Sequence, residues 1–147
     1  MARSRASAKA AGSRFEREVA DYLAARVDDR IDRRVKTGAR DRGDIAGVRA
    51  HGQKVVLECK NTTRINLAGW ASEARAEAVN DSAAIGVVVH KRHGNGKPGE
   101  QWVTMTLADL AWLLNPESKP GGPLKPQKTR GGTDTRTRQE NQSTARR

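Results

Sequence analysis

Cysteine is almost absent from this chain: among 147 residues there is one, Cys59. A lone thiol closes no internal disulfide and supplies no zinc ligand set, so disulfide scaffolds and zinc modules are excluded. Its expected role is that of a small buried hydrophobe on the inward face of a strand. Aromatic residues are nearly as scarce, with three tryptophans, one tyrosine and one phenylalanine. Trp70, Trp102 and Trp112 fall in helical and strand settings. Packing in the core or at a subunit interface is expected there, ahead of base stacking. The histidines, His51, His90 and His93, are scattered, and nothing pairs them with a nucleophile or a metal set. No apolar run approaches the roughly 20 residues that span a bilayer. No hydrophobic signal segment follows the basic start Met1-Ala2-Arg3-Ser4-Arg5. The expectation is a cytoplasmic protein with no membrane partner and no small-molecule cofactor. Nothing repeats at a fixed period, which excludes solenoids and propellers.

Positive charge is what the chain has in excess. Lys and Arg number 28 against 17 Asp and Glu, a net charge of +11 with a pI near 10.7. That balance favours a polyanionic partner, because each neutralised phosphate releases counterions. The length allows one domain. Since the flanks are rich in glycine and charge, a packed domain is expected over 13–115. A flexible basic arm is expected at 1–12 and a disordered basic tail at 116–147.

Within that span, Ser13 reads as a helix N-cap, with Glu16 completing an S-x-x-E capping box. Phe15, Val19, Tyr22, Leu23 and Val27 then give one apolar helical face. Ile31, Arg33 and Val35 alternate with polar residues as a first strand. Asp44 to Ala50 and Lys54 to Lys60 read as a second and a third, joined by a His51-Gly52-Gln53 turn. Leu67 to Asn80 is alanine-rich and helical, with Trp70, Ala71, Ala74 and Ala78 on one side. Ala84 to Val89 is the β-branched run of a strand buried on both faces. After a glycine-rich hairpin loop at 92–99, Gln101 to Thr106 forms another strand. Thr106 caps a last helix, Leu107 to Asn115, which Pro116 stops. The fold class is therefore α/β, an αβββαβ core with an added C-terminal strand and helix.

The chemistry concentrates in Gly43-Asp44-Ile45 and Glu58-Cys59-Lys60. Successive strand side chains alternate faces, so Glu58 and Lys60 share one face, about 6–7 Å apart along the strand. Cys59 points the other way with Val55 and Leu57, and the hairpin brings Asp44 back beside Glu58. Two carboxylates and an ammonium at a sheet end are the parts needed to hold a divalent metal and attack a phosphodiester. Taken singly, Asp44 reads equally as a turn acid, and Glu58 and Lys60 as a solvated pair worth under about 1 kcal/mol.

With the helix segment Gly12-Ser13-Arg14-Phe15-Glu16-Arg17-Glu18 upstream, this order of residues resembles the PD-(D/E)xK nuclease superfamily. Within it, the chain looks most like the archaeal-type Holliday junction resolvases and their phage relatives. The resemblance runs to about Val89 and implies a restriction-endonuclease-like αβββαβ core with a mixed central sheet flanked by helices. It departs at Gly43, where the family's first acid often follows proline. Carried over by position, Asp44 and Glu58 are expected as metal ligands, with Mg²⁺ as cofactor and Mn²⁺ able to substitute. Lys60 is expected to orient the attacking water and offset charge on the phosphate. A glutamate at the position of Glu16 reaches the metal in the family, whereas its local reading is the capping box. Catalytic candidates are thus Glu16, Asp44, Glu58 and Lys60.

Basic residues crowd the same region. Arg14, Arg33, Arg34, Lys36, Arg40 and Arg42 are candidate phosphate contacts, since guanidinium forks suit phosphate oxygens. Thr62 and Arg64 follow the E-x-K, and Arg92 and Lys97 sit in the glycine-rich hairpin. Solvated loop side chains and a plain strand-exit turn are the alternatives for these. Gly94-Asn95-Gly96-Lys97 lacks the spacing and trailing Ser/Thr of a P-loop. The function expected is metal-dependent endonucleolytic cleavage of branched DNA, four-way junctions above all, by a homodimer. The alternatives are a nuclease of the same fold acting on flaps, ends or single strands, or a non-catalytic DNA-binding protein.

Overall fold

The structure, a computed structural model, describes residues 3–36 and 38–120. Most of the expected C-terminal tail, 121–147, therefore lies outside the described residues. Helix α1 (Arg5–Arg26) starts two turns before Ser13. Its N-cap is Ser4, whose Oγ accepts the Ser7 N–H at 3.2 Å. This corrects the capping box and makes 5–12 helical where a flexible arm was expected. Ala6, Ala8, Ala10 and Ala11 are strong helix formers and carry the helix through the single weak position, Gly12. Ser13 sits inside the helix, and its Oγ accepts from the Arg33 guanidinium at 3.1 Å.

Beyond α1 the order is β1 (Asp32–Arg33), β2 (Ile45–Ala46), β3 (Arg49–Ala50), β4 (Gln53–Lys60), α2 (Leu67–Asn80), β5 (Ile85–His90), β6 (Trp102–Thr104) and α3 (Leu107–Leu114). The expected second strand is two pieces because Gly47, at φ +83°, interrupts it. A Cβ there would lie 2.7 Å from the Arg30 carbonyl oxygen, so the close crossing demands glycine. The first strand shrinks to two residues.

The sheet runs β1-β2-β4-β5-β6, with β3 pairing β4 off that path. Strands β4 and β5 are parallel and the other pairings antiparallel, so the protein is mixed α/β. A parallel pair needs a crossover, and α2 is that crossover.

Both sheet faces are covered. Val55, Leu57, Ile85, Val87 and Val89 pack against Phe15, Val19 and Ala20 of α1, with Trp112 of α3 closing the cluster. On the opposite face Trp70 and Ala74 of α2 lie on Val88. Trp102 departs from the core expectation: it is half exposed on edge strand β6, with the Arg92 guanidinium 4.7 Å from its ring centre. Among the described residues no helix is long and apolar enough to cross a membrane.

Helix α2 comes so close to β5 that a Cβ on Gly86 would lie 2.0 Å from the Ala74 carbonyl oxygen. That obstacle is backbone, so relief requires moving the helix. Gly86→Ala is expected to cost about 1–3 kcal/mol by overpacking, read as a lower urea midpoint. An unchanged midpoint would contradict the approach described.

Candidate functional site

The alternation of β4 divides its side chains between two environments. Val55, Leu57 and Cys59 face α1, while Val56, Glu58 and Lys60 lie beneath α2. Asp44 is fastened alongside: its N–H donates to Leu57 O at 2.9 Å, and its Oδ2 accepts the Cys59 N–H at 2.8 Å. The backbone enters through Gly43 at φ +87°, where a Cβ would meet Val56 Cγ1 at 2.7 Å and Leu57 O at 3.0 Å. Proline, locked near about −65°, cannot take that conformation. Glycine is therefore required at this entry to Asp44, and proline is excluded.

Asp44 and Glu58 are buried, 2% and 7% exposed. Lys60 Nζ lies 3.1 Å from Glu58 Oε1 and 2.5 Å from Glu73 Oε2, a residue of α2. Burial works against the Lys60 charge, but Glu73 and Glu58 outweigh it and raise its pKa. Lys36 Nζ lies 3.6 Å from Asp44 Oδ1. Its partial burial is likewise overcome, by Asp44, Asp41, Glu58 and Glu16, and its pKa is raised. Glu16, Asp44 and Glu58 therefore act on one neighbourhood. Within it Glu16 is answered by Arg33, whose Nε donates to Oε2 at 2.6 Å.

One acid of this site went unread in the sequence. Glu77 of α2 is 6% exposed and faces Glu58 and the Gly43 backbone, its Oε2 3.6 Å from where a Gly43 Cβ would lie. The signal was present: Glu77 falls at helical spacing among Trp70, Ala74 and Ala78, an acid within an apolar stripe. Burial first, then the charge of Asp44, pushes the Glu58 carboxyl up to about 7. Burial and then Glu58 push Glu77 up to about 9. On each residue Oε2 is buried without an N–H or hydroxyl partner, and the two carboxyls hydrogen-bond to each other through a retained proton.

Among the described residues no three His, Cys, Asp or Glu side chains are already drawn together closely enough to hold an ion. Mg²⁺ usually asks less of a protein, one or two carboxylates with water and phosphate completing its shell. The buried Oε2 atoms of Glu58 and Glu77, which meet only each other, lie near Asp44 and are hard donors of that kind, so one or two of these carboxyls with water and phosphate fit a divalent ion.

The basic candidates divide. Arg33 turns inward to Glu16, and Arg34 to the buried Asp81 at 3.0 Å. Lys36, Arg40 and Arg42 are exposed and, with Arg34, line an open cavity in the loop before Asp44. Thr62 donates its hydroxyl to the Arg64 carbonyl at 2.8 Å, and the Arg64 side chain is exposed. The His93 ring contacts the Thr62 carbonyl at 2.9 Å, tying the loop after β4 to the loop after β5. Arg92 lies against Trp102, Lys97 is exposed 3.9 Å from Glu100, and Arg14 is exposed on α1. Comparison with protein-family models, with curated proteins and with solved structures gives no match for this chain.

The raised carboxyls set a pH dependence. Glutamate in the unfolded chain ionises near 4.5, whereas folded Glu58 and Glu77 hold protons to about 7 and about 9. Across that window the folded state carries more protons, so metal-free stability falls as pH rises. Thermal melts in EDTA should lose Tm between those limits, and Glu77→Gln should flatten the loss. A wild-type slope unchanged by the substitution would contradict the account.

Proposed function

We propose that this protein is a metal-dependent DNA endonuclease on a restriction-endonuclease-like core, hydrolysing phosphodiester bonds in branched DNA as a Holliday junction resolvase does. The observation that carries this reading is the fastening of Asp44 to β4 beside Glu58 and Lys60, under a loop of exposed cations. Asp44 and Glu58 would hold the cation, Mg²⁺ or Mn²⁺, with Glu16 as a further acid of the same neighbourhood. When bound, the ion polarises the scissile phosphate and lowers the pKa of water. Lys60 donates to the water and to the phosphate oxygens on which charge builds. Its partner Glu58 fixes the ammonium on the cation side of the strand.

Lys36, Arg40 and Arg42 grip the backbone beside the cut, and Arg64, Arg92 and Lys97 reach further along the DNA from the loops at the same sheet end. In open α/β sheets ligands gather at the carboxyl ends of parallel strands, which is where Lys60 and His90 pair. Symmetric cutting of a four-way junction calls for two active sites about a two-fold axis, hence a homodimer.

The test incubates the protein and its Asp44→Asn variant with labelled junction, flap, single-stranded and linear DNA, in Mg²⁺ and in EDTA. Paired symmetric nicks in the junction are expected, lost in EDTA and in the variant, with DNA binding kept. Cutting spread evenly over the other substrates discards the junction preference, and binding without cutting in any metal discards the nuclease. DNA affinity should also fall by about 10³-fold or more between roughly 50 and 200 mM salt, for six or more phosphate contacts. A shallow salt dependence in a binding assay would remove the basic loop from the interface.

A further inference from the structure

We propose that Glu77, on the second helix and outside the sequence motif, is a further carboxylate of the divalent-cation site, opposite Glu58. The proposal rests on the cation site inferred above. Its basis is an inequality among the acids of this region. Glu16 has Arg33 at 2.6 Å, Asp44 has the Cys59 N–H at 2.8 Å, and Asp81 has Arg34 at 3.0 Å. Glu58 shares Lys60 through Oε1. Glu77 pairs with no Lys or Arg among the described residues, although it is 6% exposed; its buried Oε2 has no N–H partner, and the group it meets is the carboxyl of Glu58. Lys60, the ammonium on the same face of β4, divides between Glu58 and Glu73.

Two buried carboxyls facing each other are a large cost even with a proton held between them, and an apolar side chain of similar size would fill the position of Glu77 without it. The rest of the stripe shows what that alternative looks like: Trp70, Ala74 and Ala78. An acid at this one position, against Gly43 and facing Glu58, offers a second buried carboxyl to a cation that takes the place of the proton between them. Hard oxygen donors brought together from a strand and a helix suit a divalent ion over a monovalent one.

The test measures Mn²⁺ binding to the full chain by titration calorimetry without DNA, with the Mn²⁺-induced rise in Tm as a second readout. Wild type, Glu77→Gln, Glu77→Asp and Asp44→Asn are compared. Glu77→Gln keeps the shape and removes the charge. It is expected to retain the metal-free fold while weakening Mn²⁺ by about tenfold or more and reducing the Tm rise, with Glu77→Asp in between. Should the glutamine variant fail to fold, the same loss in the folded aspartate variant supports the proposal. A change below about threefold in the variant that folds overturns it. If Asp44→Asn abolishes binding while Glu77→Gln leaves it intact, the nuclease reading stands and Glu77 is excluded from the site. If wild type binds no Mn²⁺, the cation site fails, and the assignment of Glu77 with it.

Discussion

Pairing of β4 on both of its edges is the constraint from which the rest of the site follows. One edge runs antiparallel to β2 and the other parallel to β5, so the register of this strand cannot slip. A slip of one residue would exchange its faces, carrying Glu58 and Lys60 into the cluster around Phe15 and exposing Leu57 beneath α2. Fixed register also sets the distance to Asp44. The carboxylate on β2's threshold is bonded to the backbone N–H that lies between Glu58 and Lys60. The site's three motif groups are thus one ladder apart, held by main chain and independent of any flexible loop.

That precision has an electrostatic consequence. Placing Glu58 and Glu77 beside Asp44 in a buried layer between sheet and helix opposes the ionisation of the two glutamates, which retain protons far above the ordinary carboxylate range. An apolar layer in the same place would stabilise the fold more. Perturbed carboxyls of this kind cluster at functional sites, and in the proposed site cation binding would be coupled to proton release.

Much of this was legible in the sequence because it depends on short-range periodicity. Period-two alternation places Glu58 with Lys60 and sets Cys59 against them, and helical spacing locates α2 over Leu67–Asn80. Local signals misled where two of them competed. The Ser13-x-x-Glu16 pattern is a good helix start in isolation, but the alanines upstream propagate the helix past it to Ser4. Gly47 breaks the second strand through a contact with Arg30 that is distant in structure class though near in sequence. Glu77 could be assigned only once α2 lay on β4, since its significance comes from what it faces. The α/β class followed from element order, while the nuclease core itself stays a proposal drawn from motif order.

The distribution of cations completes the picture. Net charge alone does not distinguish the arginines before Asp44, yet Arg33 and Arg34, partly buried, are paired with Glu16 and Asp81. They brace α1 and the end of α2 against the short strand β1. Lys36, Arg40 and Arg42 point outward, and Lys36 bridges the two sets through Asp44. Lys60 occupies an intermediate position. Its bond to Glu58 lies on the buried side, whereas Glu73 is about half exposed. Glu73, half exposed, is the partner more easily released, while the buried Glu58 holds the ammonium in line. Restraint from one side and easier release on the other would let this lysine meet developing charge in the proposed reaction.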